Sequence, residues 1–266
     1  MREWRVGRVL LGALAALVIA FLVLPSLVVI PISFSSGQTL RFPPPGFSLK
    51  WYGVFFDPGG EWLRAALSSL QVALGAALVS TVLGTLAAFG LVRGRFPGKK
   101  ALLAFFVAPL IVPAVVLAIG MFFVVLRARL GVLGSAIPLI GAHAVLGIPL
   151  VLLNVAASLA RVDPDLELAA SGLGGGRWQV FRRVTLPLIA PGLIAGALLS
   201  FVTSWDEVVI AIFLTTPYFR TLPVVMWGDV KFSLEPTIAV VAAILMLMTT
   251  AAVVTFVFLR RREVLR

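Results

Sequence analysis

The 266-residue sequence contains no cysteine, a single histidine and few charged residues, which make up only 12% of the chain. The absence of cysteine excludes a disulfide framework and any thiolate-ligated metal site. The one histidine, His143, cannot build a histidine-rich metal centre. Because 61% of the residues are hydrophobic, a soluble fold could not keep so much apolar surface out of water. The composition therefore indicates an integral membrane protein.

The net charge of +11 would suggest a nucleic-acid partner in a soluble protein, but the positions of the basic residues favour another interpretation. Most Lys and Arg residues stand at the ends of long apolar runs, as is typical of loops that flank membrane helices. We therefore expect contact with membrane lipid and no contact with nucleic acid.

Hydropathy predicts an all-α, polytopic fold with six membrane-spanning helices in one domain, 1–266. A helix rises about 1.5 Å per residue, so each apolar run is long enough to cross a hydrocarbon layer of about 30 Å. A loop rich in proline, glycine and aromatic residues, 33–61, follows the first span, and a second loop, 215–235, precedes the last. Pro109 and Pro113 are expected to kink the third span. The predicted spans are 9–32, 62–92, 101–126, 135–160, 188–214 and 236–259.

The distribution of basic residues predicts the orientation of these spans. The N-terminal arm, the loop around Arg93, the segment 161–187 and the C-terminal tail share one side of a six-span protein. That side carries 15 of the 22 Lys and Arg residues. Since the positively charged loops of membrane proteins stay in the cytoplasm, we expect both termini and the segment 161–187 to be cytoplasmic.

The segment 161–187 is the only long interruption of the apolar runs that carries a dense mix of glycine, arginine and acidic residues. Asp163 can cap a short helix whose first turn holds Pro164, and a run of glycines, 172–176, ends it. A second short, basic helix is predicted to follow from Arg177. One interpretation is a solvated glycine-rich loop, and the other is a docking site for a separate soluble subunit.

The sequence ELAASGLGGGRWQVFRRVTLP, from Glu167 to Pro187, resembles the coupling loop of permeases from binding-protein-dependent ABC importers. The family pattern is EAA-x3-G-x9-I-x-L-P, and this chain departs from it at Leu168, which replaces the glutamate, while Glu167 lies one residue earlier. The resemblance implies that the first helix docks in a groove of an ATPase subunit, through Ala169, Ala170 and Leu173 in particular. The expected ATPase-coupling residues are Glu167, Leu168, Ala169, Ala170, Leu173, Gly174, Val184, Leu186 and Pro187.

The resemblance extends over nearly the whole chain and narrows to one branch of these permeases. SWDEVVIAIFL (204–214), RTLPVVMW (220–227) and His143 upstream of Pro149 are similar to the spermidine/putrescine type. This implies a type I ABC importer permease fold in the bacterial inner membrane, and a transporter subunit rather than an enzyme. The implied partners are a second permease subunit, two ATPase subunits that hold ATP and Mg²⁺, and a periplasmic solute-binding protein. This chain itself is expected to bind no cofactor and no metal.

Asp206 and Glu207 are the outstanding charges within the predicted spans. Placing a carboxylate at this depth of the membrane costs free energy, and such groups usually line the interior of a helix bundle or a water-filled cavity. One hypothesis is a transient cation site on the substrate path, with Trp205 offering cation–π contact; the other is an idle, solvated pair at the membrane interface. Adjacent helical residues diverge by about 100°, so one of the pair is expected to face the path. His143 is included among the path residues, although a helix–helix hydrogen bond is the simpler role.

Two other functions stay open at this point. The solute can be another organic cation, an amino acid derivative or an anion, because an external binding protein normally selects it. A secondary transporter or channel would show ionisable residues in several spans, whereas this sequence shows one acidic pair.

Within the fifth span, Gly192 and Gly196 form a G-x-x-x-G pair that predicts a close helix crossing.

Overall fold

The computed structural model describes residues 2–128, 131–232 and 235–264. Arg129 and Arg266, which belong to the basic residues counted for orientation, lie outside these ranges. The described part of the chain is helical and contains no β-strand, only two isolated bridges. The elements in chain order are α1 (Arg2–Ser33), α2 (Lys50–Phe55), α3 (Glu61–Arg93), α4 (Lys99–Val107), a 3-10 turn (Ala108–Leu110), α5 (Ala114–Arg127), α6 (Ala136–Leu159), α7 (Pro164–Gly172), α8 (Arg177–Val180), a π-helical segment (Phe181–Thr185), α9 (Leu186–Trp205), α10 (Val209–Leu214), α11 (Leu222–Phe232) and α12 (Thr237–Val264).

Five helical stretches of the described chain are long and apolar enough to cross a membrane. The bent pair α4–α5 makes a sixth when it is counted as one span. The predicted all-α polytopic fold is confirmed, and its count of six spans includes this bent pair. The chain groups into two compact units. One unit is Met1–Leu63 with Met226–Leu247, and the other is Arg64–Val225 with Met248–Arg266.

In the first unit, the loop between α1 and α2 is closed by aromatic residues. The indole N–H of Trp51 donates a hydrogen bond to the carbonyl of Gly37 at 3.0 Å. The ring of Tyr52 stacks on Phe34 with centroids 5.0 Å apart, and Phe55 is buried. These rings therefore hold the proline-rich loop against the end of α1.

In the second unit, α6 and α9 pack closely along their lengths, and glycines allow the contact. A Cβ on Gly196 would lie 2.7 Å from the Cα of Val151, and one on Gly192 would lie 2.5 Å from the carbonyl oxygen of Asn154. Side chains larger than hydrogen cannot fit at these positions. The crossing predicted from the G-x-x-x-G pair is confirmed.

Helix α3 joins this pair in the same way. A Cβ on Gly84 would lie 2.9 Å from the carbonyl oxygen of Ile148. Gly147 of α6 lies between the hydroxyl groups of Ser80 on α3 and Ser200 on α9, with no space for a methyl group. The three helices α3, α6 and α9 therefore interlock through backbone contacts.

The predicted third span, 101–126, is not one kinked helix. It consists of α4, the 3-10 turn and α5, and the two α-helices meet at 101°. Pro113 has no N–H to continue a helix and disfavours helical geometry in the residue before it, so α5 starts afresh at Ala114. The prolines indicated the place of the bend but not its size.

The predicted fifth span, 188–214, also needs correction at both ends. Helical structure is continuous from Arg177 through the π-helical segment to Trp205, so Pro187 does not mark a boundary. The helix then stops, and α10 begins only at Val209. The predicted loop 215–235 contains α11, whose 11 residues rise about 16 Å and cannot cross a membrane.

Candidate functional site

The segment 161–187 forms the two short helices expected from its sequence. The carboxylate of Asp163 accepts a hydrogen bond from the backbone N–H two residues later at 3.0 Å, and Pro164 occupies the first turn of α7. Between α7 and α8, Gly174 adopts a φ of +87°, a left-handed conformation that favours glycine. The chain reverses there and enters the long helical run towards α9.

Four large apolar side chains of α7, α8 and the turn between them are exposed: Leu166, at 49%, and three that are more exposed. Leu168 is 66% exposed, Leu173 is 92% exposed and Trp178 is 69% exposed. We call these three residues the α7–α8 apolar surface. Sequence reasoning missed Trp178, although an aromatic residue in an otherwise polar loop was an available signal.

Glu167 points away from that surface. Its carboxylate accepts a hydrogen bond from the hydroxyl of Thr185 at 2.8 Å and lies 3.5 Å from the guanidinium of Arg93. Arg93 also donates to the carbonyl oxygen of Val162 at 3.2 Å. No local sequence pattern indicates these contacts, because the partners lie far apart along the chain.

The remaining predicted coupling residues divide between the surface and the interior. Leu186 packs against an apolar cluster of α3, α6 and α9 that includes Leu152 and Ile189, and so supports the start of α9. Five of the predicted residues are exposed (Leu168, Ala169, Leu173, Gly174 and Pro187), and four are half-buried (Glu167, Ala170, Val184 and Leu186).

The second set of predicted residues lies at the break between α9 and α10. The carboxylate of Glu207 accepts hydrogen bonds from the backbone N–H groups of Ile210 at 2.9 Å and Ala211 at 3.0 Å. These are free donors of the first turn of α10, so the side chain caps this helix. The capping carboxylate also complements the positive end of the helix dipole.

His143 of α6 joins this arrangement from the side. Its Nδ1 lies 2.7 Å from the hydroxyl of Ser204, and its Nε2 lies 3.4 Å from the carboxylate of Glu207. His143 and Ser204 are both buried. His143, Ser204 and Glu207 therefore form a polar cluster between α6 and the broken helix, as expected for a helix–helix partner.

Trp205 and Asp206 have opposite surroundings. The ring of Trp205 is 2% exposed and stacks on Phe201 with centroids 6.0 Å apart. Its indole N–H has no hydrogen-bond partner within the part of the chain that the structure describes. Asp206 is exposed. Protein therefore encloses the side chains of three of the four predicted path residues, His143, Trp205 and Glu207. The fourth residue, Asp206, is exposed.

Membrane helices with a two-helix polar loop between α6 and α9 define the membrane subunit of an importer. The chain belongs to the family "Binding-protein-dependent transport system inner membrane component", whose model matches residues 80–264. It is a polytopic inner-membrane permease of the ABC importer class, of the type represented by the relatives PotC and PotI.

Two relatives from Escherichia coli (strain K12) align over most of the chain. The spermidine/putrescine transport system permease protein PotC is 31% identical over 249 residues, which cover 94% of this chain and 93% of PotC. The putrescine transport system permease protein PotI is 33% identical over 248 residues, which cover 91% of this chain and 85% of PotI.

Solved structures share the fold. A chain of a bacterial ABC transporter involved in the import of the acidic polysaccharide alginate matches with a TM-score of 0.69 at 18% identity, covering 98% of both chains. A chain of the MetNI methionine ABC transporter matches with a TM-score of 0.61 at 17% identity, covering 75% of this chain and 94% of that one. At such identities the likeness extends to the fold alone.

Proposed function

We propose that this permease carries a polyamine such as spermidine or putrescine, and that Asp206 is the carboxylate on its path. The observation that carries this assignment is the difference between two adjacent carboxylates. Glu207 is committed to backbone N–H groups and to His143, whereas Asp206 is exposed. The relatives named for spermidine and putrescine transport support the choice of a cationic solute.

An exposed carboxylate directly after the long apolar helix that ends at Trp205 suits a polyamine for an electrostatic reason. Each ammonium group loses hydration when it leaves water, and a nearby negative charge offsets part of that loss. The contact must also be weak enough for the solute to be released. A single carboxylate meets this requirement better than a site that surrounds the solute with several charged groups.

The proposed partners follow from the importer class. A solute-binding protein delivers the polyamine, a second permease subunit completes the path, and two ATPase subunits hold ATP and Mg²⁺. We assign the α7–α8 apolar surface to the ATPase subunit, because exposed leucine and tryptophan side chains outside a membrane favour a protein partner. Both termini and the segment 161–187 are then cytoplasmic.

Uptake into proteoliposomes tests the assignment of Asp206. The complete transporter, with the binding protein in excess, is supplied with labelled putrescine or spermidine. Asp206→Asn should lower uptake about tenfold or more, since a hydrogen bond to a charged group contributes about 1.5–3 kcal/mol. Solute affinity of the binding protein and assembly with the ATPase subunit should stay unchanged.

Two outcomes would count against the proposal. Uptake by Asp206→Asn that equals the parent would remove Asp206 from the path. Uptake of an amino acid derivative or an anion, with no uptake of either polyamine, would assign the transporter to a different solute.

A further inference from the structure

We infer that Glu167 is a positioning residue that ties α7 to the membrane helices, and that it is not a contact of the ATPase subunit. The inference rests on the proposed docking of that subunit on the α7–α8 apolar surface. It concerns how movement of α7 reaches the membrane helices α3 and α9.

Three segments of the chain meet at the carboxylate of Glu167. Thr185, which donates to it at 2.8 Å, is the last residue of the π-helical segment that continues into α9. Arg93, 3.5 Å away, is the last residue of α3. Through its bond to the carbonyl of Val162, Arg93 also fixes the turn that leads into α7. One side chain of α7 is thus connected to the ends of two membrane helices.

The helix dipoles strengthen this connection. Glu167 lies in the first turn of α7, where the helix dipole is positive, and Arg93 lies in the last turn of α3, where it is negative. Each charge is favoured at its own helix end, and their pairing joins the two ends. Thr185 and Val162 are buried, whereas the side chains of Arg93 and Glu167 are 28% and 26% exposed, so water competes for these contacts from one side only.

A different face of α7 carries a different chemistry. Leu168 directly follows Glu167, which turns it by about 100° around the helix, and it is well exposed. A surface of leucine and tryptophan requires no carboxylate to dock in an apolar groove. The shift of the acidic residue to position 167 therefore separates two tasks: apolar docking on one face and the tie to α3 and α9 on the other.

The first experiment measures the tie in the full-length chain alone. Hydrogen exchange of the α7 amides is compared in the parent, Glu167→Gln, Arg93→Gln and Asp165→Asn. Asp165 is a matched control, because it is an exposed carboxylate in the same first turn. Glu167→Gln and Arg93→Gln should speed exchange about fivefold or more, and Asp165→Asn should change it little.

The second experiment measures coupling in the complete transporter. Glu167→Gln and Arg93→Gln should retain the ATPase subunit on co-purification, yet transport at least about fivefold less solute per ATP hydrolysed. The loss of coupling in the double variant should be smaller than the sum of the two single losses, because both variants remove the shared Glu167–Arg93 pair. Asp165→Asn should couple like the parent.

The outcomes separate this inference from the proposed function. Loss of the ATPase subunit from Glu167→Gln, with α7 exchange unchanged, would make Glu167 a docking contact and overturn the inference. Unchanged exchange together with unchanged coupling would also overturn it. If α7 exchanges faster in Glu167→Gln and Arg93→Gln than in the parent, but the parent itself binds no ATPase subunit, the result would support the tie while refuting the proposed docking.

Discussion

The imidazole Nε2 of His143 lies 3.4 Å from the carboxylate of Glu207; His143 belongs to α6, and Glu207 belongs to the break between α9 and α10. The same carboxylate caps α10, and the same imidazole contacts the hydroxyl of Ser204 at the end of α9. This contact therefore fixes the break between α9 and α10 against α6. It also leaves the neighbouring Asp206 as the carboxylate available to a solute.

Replacement of Glu207 by glutamine should weaken the fold rather than the affinity for solute. A glutamine can keep one of the two backbone hydrogen bonds but loses the charge that complements the helix end. We expect a loss of about 1–2 kcal/mol, by the scale of helix caps and charged hydrogen bonds. Thermal unfolding in detergent should begin at a lower temperature for Glu207→Gln, whereas Asp206→Asn should unfold like the parent. The reverse ranking would contradict the division of roles.

Gly174 should tolerate no β-branched residue. The space around its Cα is open, so the constraint is the φ of +87° alone. Valine is strained in that conformation by about 1–2 kcal/mol, and the turn between α7 and α8 should shift. Co-purification of the ATPase subunit should fall for Gly174→Val. Gly172→Ala is the control, because its surroundings are equally open and its φ is not positive. Equal assembly of the two variants would refute the role of the turn.

Leu173 should contribute to assembly without contributing to stability. Its side chain is almost fully exposed in the isolated chain, so serine there removes no internal contact. Burying a leucine at an interface contributes about 1.5–3 kcal/mol, and Leu173→Ser should weaken binding of the ATPase subunit about tenfold or more. The measurement is a titration of detergent-solubilised permease with that subunit. Unaltered binding would exclude Leu173 from the docking surface.

Single cysteines can test the orientation, because the chain has none of its own. In intact cells, an impermeant maleimide should label Pro45→Cys after the outer membrane is opened. Arg95→Cys should react only after the inner membrane is lysed. Both positions are exposed, so burial does not limit the reaction. The opposite labelling pattern would invert the proposed topology.

Gly196 should accept no larger side chain at the crossing of α6 and α9. A Cβ there meets the Cα of Val151 at 2.7 Å, so Gly196→Val forces the helices apart. We expect a loss of about 1–3 kcal/mol from overpacking, seen as a lower unfolding temperature and a lower yield. Gly90→Ala on α3, where a Cβ meets open space, should behave like the parent. Equal unfolding temperatures of the two variants would mean that the crossing of α6 and α9 accommodates the valine side chain.

The sequence predicted those features that depend on local chemistry. Apolar runs located the long helices, and Asp163 and Gly174 marked the start of α7 and the turn after it. Pro109 and Pro113 marked the place where the third span breaks. The angle of 101° between α4 and α5 depends on the packing around each piece, which no local pattern records.

The contacts that define the two sites could not be predicted in this way. The pairing of Glu167 with Arg93 joins residues on two different helices. The capping role of Glu207 depends on the helix stopping at Trp205, and the apolar run continues past that point. Only the residue types were visible: two adjacent carboxylates in an apolar segment, and a glutamate one position from its place in the family pattern.

The glycine contacts of α3, α6 and α9 have a mechanical consequence. At Gly84, Gly147 and Gly196 a methyl group has no room, so these helices cannot slide along one another without driving backbone into side chains. Within this unit they must move as a rigid block during a transport cycle.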